Sequence, residues 1–152
     1  MALDAASIAT AISNLSVASV SIRDATDIPQ SVRTTDCPIF MPMPDGWVGA
    51  TTGSPDDETT FGTPTTREWI THRVFHYIYL HKMLPSGRGI GIKYSDAVAK
   101  TEAIWTALTA LDVSGVDVEN ISHSEINSLQ DKANNRFVGC FFDITIRERI
   151  NP

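Results

Sequence analysis

The chain is 152 residues long, 42% hydrophobic and 20% charged, the composition of one globular domain that can bury its own core without a disulfide or metal. Its formal charge of −6 and pI near 5.0 argue against a general nucleic-acid binder, which needs clustered Lys and Arg to neutralise phosphates. It contains no run of about 18 apolar residues, the length a membrane helix requires.

In chain order, Leu3, Ile8, Ile12 and Leu15 fall mostly at helical spacing among alanines, which predicts a short amphipathic helix over Ala2–Asn14. Asp4 suits the positive end of that helix, and with no basic n-region the segment is not expected to be a signal peptide. Synthesis in the cytosol follows as an expectation. Val17–Arg23 alternates Val and Ser and reads as a strand with Val20 and Ile22 on one face. Ile28–Pro64 holds six of the eight prolines, so any strand within it must be an edge or brief, and Cys37–Met43 is the best candidate. Pro44–Thr66 reads as a long Thr/Gly/Asp-rich loop with Trp47 near its start and a solvated acidic tip, Asp56-Asp57-Glu58.

Arg67–Lys82 predicts one long strand. Ile70, Val74 and Ile78 also lie four apart, as in a helix, but Trp69, Ile70, Thr71, Val74, Phe75, Tyr77, Ile78 and Tyr79 are β-branched or aromatic and the stretch has no alanine. Its middle, Phe75–Leu80, is apolar on both faces and should cross the core. Pro85–Gly91 follows as a glycine loop carrying Arg88. A second helix is expected from a Ser95 cap to Leu111, with Val98, Ile104, Trp105, Leu108 and Leu111 as its buried stripe, and Gly115 just beyond it. Val116–Ile126 predicts a strand and Ser128–Asn135 a polar turn. Phe137–Ile150 is the cleanest half-buried strand, with Val138, Cys140, Phe142, Ile144 and Ile146 on one face and Asp143, Thr145, Arg147 and Arg149 on the other. The expected fold is therefore α+β: a mixed, mainly antiparallel sheet flanked by two helices, with a long projecting strand and loops, in a single domain over residues 1–152.

The motifs of common chemistry are absent from the sequence. It has no G-x-S-x-G nucleophile elbow and no H-E-x-x-H zinc pattern. His72 and His76 are four apart, but on a strand that separation is about 13 Å, too far for one zinc ion. Gly87–Gly91 fits neither phosphate-loop spacing, and Asp56-Asp57-Glu58 lacks the alternating ligands of a calcium loop. Cys37 and Cys140 form no C-x-x-C pair and are expected as buried free thiols. No cofactor, metal or catalytic centre is expected. Trp47 has two readings, a ring folded back on the core or an anchor on a neighbouring subunit. Arg147 and Arg149 likewise read as a solvated strand end or as intersubunit partners of an acidic segment such as Asp56–Glu58.

With the ending VGCFFDITIRERINP, this order of elements resembles the tail terminator and related neck proteins of long-tailed bacteriophages. The resemblance covers most of the chain and lies in layout and texture rather than in a motif. It implies a virion protein whose subunits close into a hexameric ring, capping the tail tube, ending its polymerisation and joining it to the head connector or stopper protein. The genome would pass through the lumen without specific binding, which suits an acidic chain. The contact residues expected on that reading are Trp47, Asp56, Asp57, Glu58, Arg67, Arg88, Arg147 and Arg149. A head-completion or connector-adaptor protein is the alternative within the class. From another class, the alternative is a small-molecule-binding domain or enzyme with a pocket beside His72, His76 and the glycine loop.

Overall fold

The structure is a computed structural model describing residues 5–17, 19–22, 37–43, 56–61, 69–81, 94–111, 116–130 and 136–150. Its elements in order are α1 (Ala5–Ser13), β1 (Ser21–Ile22), β2 (Ile39–Pro42), β3 (Asp56–Phe61), β4 (Trp69–His81), α2 (Tyr94–Thr109), β5 (Val116–His123), β6 (Asn127–Gln130) and β7 (Arg136–Ile150). The fold is α+β, with one mixed and mostly antiparallel seven-stranded sheet and two helices.

The sheet is organised around a two-stranded ribbon. β4 and β7 pair antiparallel along their whole shared length, from Trp69↔Ile150 to His81↔Val138. Thirteen residues of strand in β4 span about 43 Å. Each outer edge of the ribbon carries two shorter strands. On the β4 edge, β2 pairs with Tyr77–Leu80 and β3 with Trp69–Val74. On the β7 edge, β6 pairs with Arg136–Gly139 and β5 with Phe142–Glu148. β1 adds to β2 in parallel, which makes the sheet mixed.

Both helices lie on the same side. Ile8 and Ile12 of α1 and Ile104 and Leu108 of α2 join one buried cluster with Phe40, Phe75, Tyr77, Tyr79, Cys140, Phe142, Ile144 and Ile146. Alternation along β4 and β7 puts every second residue on this side, so the pattern read in β7 becomes one wall of the core. Phe40 stacks on Tyr77 at 5.0 Å and meets Phe142 edge-on at 5.3 Å. Each fully buried Ile or Leu adds about 1.5–3 kcal/mol, which is how two short helices are held. The opposite side has its own buried cluster, Ile39, Met41, Met43, Ile78, Leu80 and Phe137, confined to the end of the ribbon served by β2 and β6.

Several expectations need correction. Asp56–Phe61, expected within a loop and as a solvated acidic tip, forms β3 and registers against Val74–Trp69. Thr59, Thr60 and Phe61 are strand formers, and the neighbouring β4 supplies the ladder that their polar companions could not announce. The expected polar turn begins with a strand: β6 covers Asn127–Gln130 and pairs with β7. Among the described residues of Val17–Arg23, only Ser21–Ile22 form a strand; Val20 N–H donates to Val17 O at 3.2 Å, a turn, and Ser19 sits at φ 63. Trp105 is 45% exposed rather than part of the buried stripe, which is Ala97, Thr101, Ile104 and Leu108. Helix α2 begins at Tyr94, so Ser95 lies in its first turn and is not its cap. Cys140 is buried but Cys37 only half-buried; both are free thiols. Trp47, Arg67 and Arg88, and the glycine loop, lie outside the described residues.

Candidate functional site

Two surfaces, one on each side of the sheet, carry the exposed chemistry of the described residues. The first is the open end of the side away from the helices. Here β3, β4, β7 and β5 lie edge to edge, and the register aligns Glu58, His72, Arg147 and Asp117 in one row across them. The next row is Asp56, Val74, Thr145 and Asn120. Asp117, Asn120, Ser122 and Asp143 are exposed, while Arg147 and Thr145 are half-buried.

Two histidines of β4 are tied down on this side. His76 Nδ1 lies 2.7 Å from Asp143 Oδ1, and His72 Nδ1 lies 2.8 Å from Glu119 Oε2. An ionised carboxylate only accepts, so each Nδ1–H is the donor. Glu119 reaches His72 across β7 because it is the extra residue of a β-bulge between Val118 and Asn120, and a bulge re-aims its side chain. The pair His72 and His76 is thus divided between two different carboxylates. Among the described residues, no group of three or more His, Cys, Asp or Glu could hold a metal ion.

Of the contact residues expected from sequence, Asp56, Asp57 and Glu58 lie on β3 and Arg147 and Arg149 on β7, within one sheet. Glu58 and Arg147 flank His72 in register, two strand spacings apart at about 10 Å. Asp57 registers beside Arg73, which is 4% exposed on the helix side. Arg147 makes no ion pair among the described residues, and its Nε is buried without a hydrogen-bond partner there.

The second surface lies on the helix side, where the flank of α2 faces the turn between β5 and β6. Tyr94, Val98, Glu102 and Trp105 follow one another at intervals of four, four and three, so they line one stripe of the helix. The opposite wall is His123, Ser124, Glu125 and Ile126. That turn is fixed to β7 by Ser124: its N–H donates to Phe141 O at 2.9 Å, and its hydroxyl accepts from Phe141 N–H at 2.9 Å. His123 Nδ1–H donates to Ser124 O at 2.9 Å, and its ring lies 5.4 Å from Phe142. The resulting groove has a volume of about 550 Å³ and continues past Glu102 and His123 into a second hollow of about 370 Å³ beside Trp105 and Thr106. Tyr94 and Trp105 are the two large hydrophobic side chains exposed among the described residues, at 55% and 45%. Glu102 and Glu125 make no ion pair among the described residues.

The start of α2 is anchored to β4 by a side-chain hydrogen bond. Asp96 accepts from Lys100 Nζ at 3.0 Å and from His81 Nε2 at 3.1 Å. These bonds, Lys100 first and His81 second, hold its carboxyl below the usual value, and its place in the first helical turn suits the helix dipole. Behind it, burial pushes the Cys140 thiol up to about 12, against a smaller opposing hydrogen bond from Thr101. Burial raises the Tyr79 phenol as well.

No protein-family model matches the chain, and no curated protein matches it. The groove was not among the sites expected from the sequence. One signal was available: Ile104 and Trp105 are adjacent, about 100° apart around the helix, so both could not sit centrally on one narrow stripe.

Proposed function

We propose that the protein is a structural subunit of the neck of a long-tailed bacteriophage, of the tail-terminator kind, closing into a sixfold ring on the tail tube. The observation that carries the reading is the pair of unlike surfaces on opposite sides of one sheet. An aromatic, acidic groove lies along α2, and an open polar sheet face carries Arg147. A ring closed by rotation joins two different patches of each subunit, so it requires a front and a back of this kind. The role is one of assembly: the ring ends tube growth, presents a platform to the head connector, and lets DNA pass. The formal charge of −6 supports such passage, because a negative lumen repels phosphate.

Electron microscopy of the purified protein, with and without tail tube protein, tests the proposal. Rings of six subunits are expected. Twelvefold rings would favour a connector adaptor docked on a portal, and a chain that stays monomeric at high concentration with tube protein present would overturn both. One observation favours a small-molecule binder instead: the α2 groove has the volume of a ligand site. It lies across the sheet from His72 and His76, and a ligand retained in native mass spectrometry would support it.

A further inference from the structure

The lining of the groove beside α2 favours an occupant of definite chemistry. Its walls carry two carboxylates, Glu102 and Glu125, with no ion-pair partner among the described residues, and no Lys or Arg lines it there. Trp105 stands at one end and Tyr94 at the other, eleven residues apart, or about 16 Å along the helix. Carboxylates beside exposed indole and phenol rings fit a guanidinium, which can pair with the acid and stack on the ring. On the other side of the sheet, Arg147 is half-buried and lacks an ion pair among the described residues. The acidic segment expected to meet it across subunits, Asp56–Glu58, is instead a strand of its own sheet.

Pairing between strand edges is a poorer route to assembly here. The outer edge of β5 carries Asp117, Glu119 and a bulge, features that blunt an edge against strand addition. On the open face, Arg147 is the charge that suits the groove's carboxylates, while the exposed Asp117 beside it in register opposes them.

We infer that Arg147 on the open sheet face of one subunit docks into the α2 groove of a second copy of this chain, between Glu102 and Glu125 and against Trp105. The inference rests on the ring reading and names the contact that closes the ring. Each subunit then gives one Arg147 and receives one, as a head-to-tail ring demands. Trp and Arg at the centre of such a contact are the residue types that dominate interface energies.

Charge reversal tests it, read by native mass spectrometry and light scattering across a dilution series, with circular dichroism checking that each variant is folded. Arg147→Glu and, separately, Glu102→Arg with Glu125→Arg are each expected to weaken ring association at least about tenfold. Trp105→Ala is expected to weaken it about 30-fold. Joining Arg147→Glu to the two glutamate reversals in one chain restores complementarity and should recover rings. If Arg147→Glu fails to fold, the exposed glutamate pair decides alone. Wild-type rings that survive both reversals overturn the docking contact and leave the ring standing, as does a combined variant no better than its parents. A wild-type chain that forms no ring overturns the ring reading and this contact with it.

Discussion

Ile78 and Leu80, at the β2 end of β4, are fully buried on the side away from the helices, beside Met41 and Phe137. Six residues before Ile78, on the same side of the same strand, His72 is bonded to Glu119 at an open surface. On the helix side no such break occurs between Phe75 and Tyr79 or between Cys140 and Ile146. One face of the ribbon is therefore core throughout these stretches, while the other changes character between Ile78/Phe141 and His76/Asp143. A strand longer than its covered region brings a rigid, register-locked surface out of the core, and such a surface can present charge at fixed spacing to another subunit.

The largest loss of stability is expected at the core face. Phe142 packs on Phe40 and against the His123 ring, so Phe142→Ala should cost about 3–5 kcal/mol in urea unfolding. Gly139→Ala comes next: an added Cβ would run into the Tyr79 carbonyl oxygen of the paired strand, and neither backbone can yield without opening the ribbon. We expect a loss near 3 kcal/mol, seen as a lowered midpoint at unchanged slope.

Two substitutions on the side away from the helices sharpen the contrast directly. Ile78→Ala should cost about 2–5 kcal/mol, whereas His72→Ala removes a partly exposed pair and should cost less than about 1 kcal/mol. Equal costs would mean that the two ends are not different in kind. The smallest effect is a pH response. The Cys140 thiol, pushed up to about 12 by burial, keeps its proton in the folded chain after the unfolded chain has lost its own near pH 9. The unfolded state then binds fewer protons, so stability falls as pH rises from about 9 towards 12. Replacing Cys140 with Ala should flatten that slope, and the half-buried Cys37 should react with a thiol reagent before Cys140 does.

What the sequence disclosed follows the strength of its periodicity. β7 shows strict alternation and β4 a dense run of β-branched and aromatic residues, and both appear within a few residues of their expected ends. α1 and α2 show in their helical spacing. β3 and β6 were hidden because DDETTF and NSLQ have no apolar alternation; the long neighbouring strand, not their own residues, makes them strands. The groove was hidden for a related reason. It joins α2 to a turn beyond β5, and only the tertiary fold brings His123–Ile126 to the helix flank. Arg147 is legible as a candidate contact from its outward register, and Asp56–Glu58, expected in a loop, forms a strand of the same sheet.

The mass of the native assembly tests the account most directly. Purified wild-type protein, measured by native mass spectrometry at increasing concentration, should give six times the 16.6 kDa subunit mass. A single 16.6 kDa species at every concentration, alone and with tail tube protein, would contradict it.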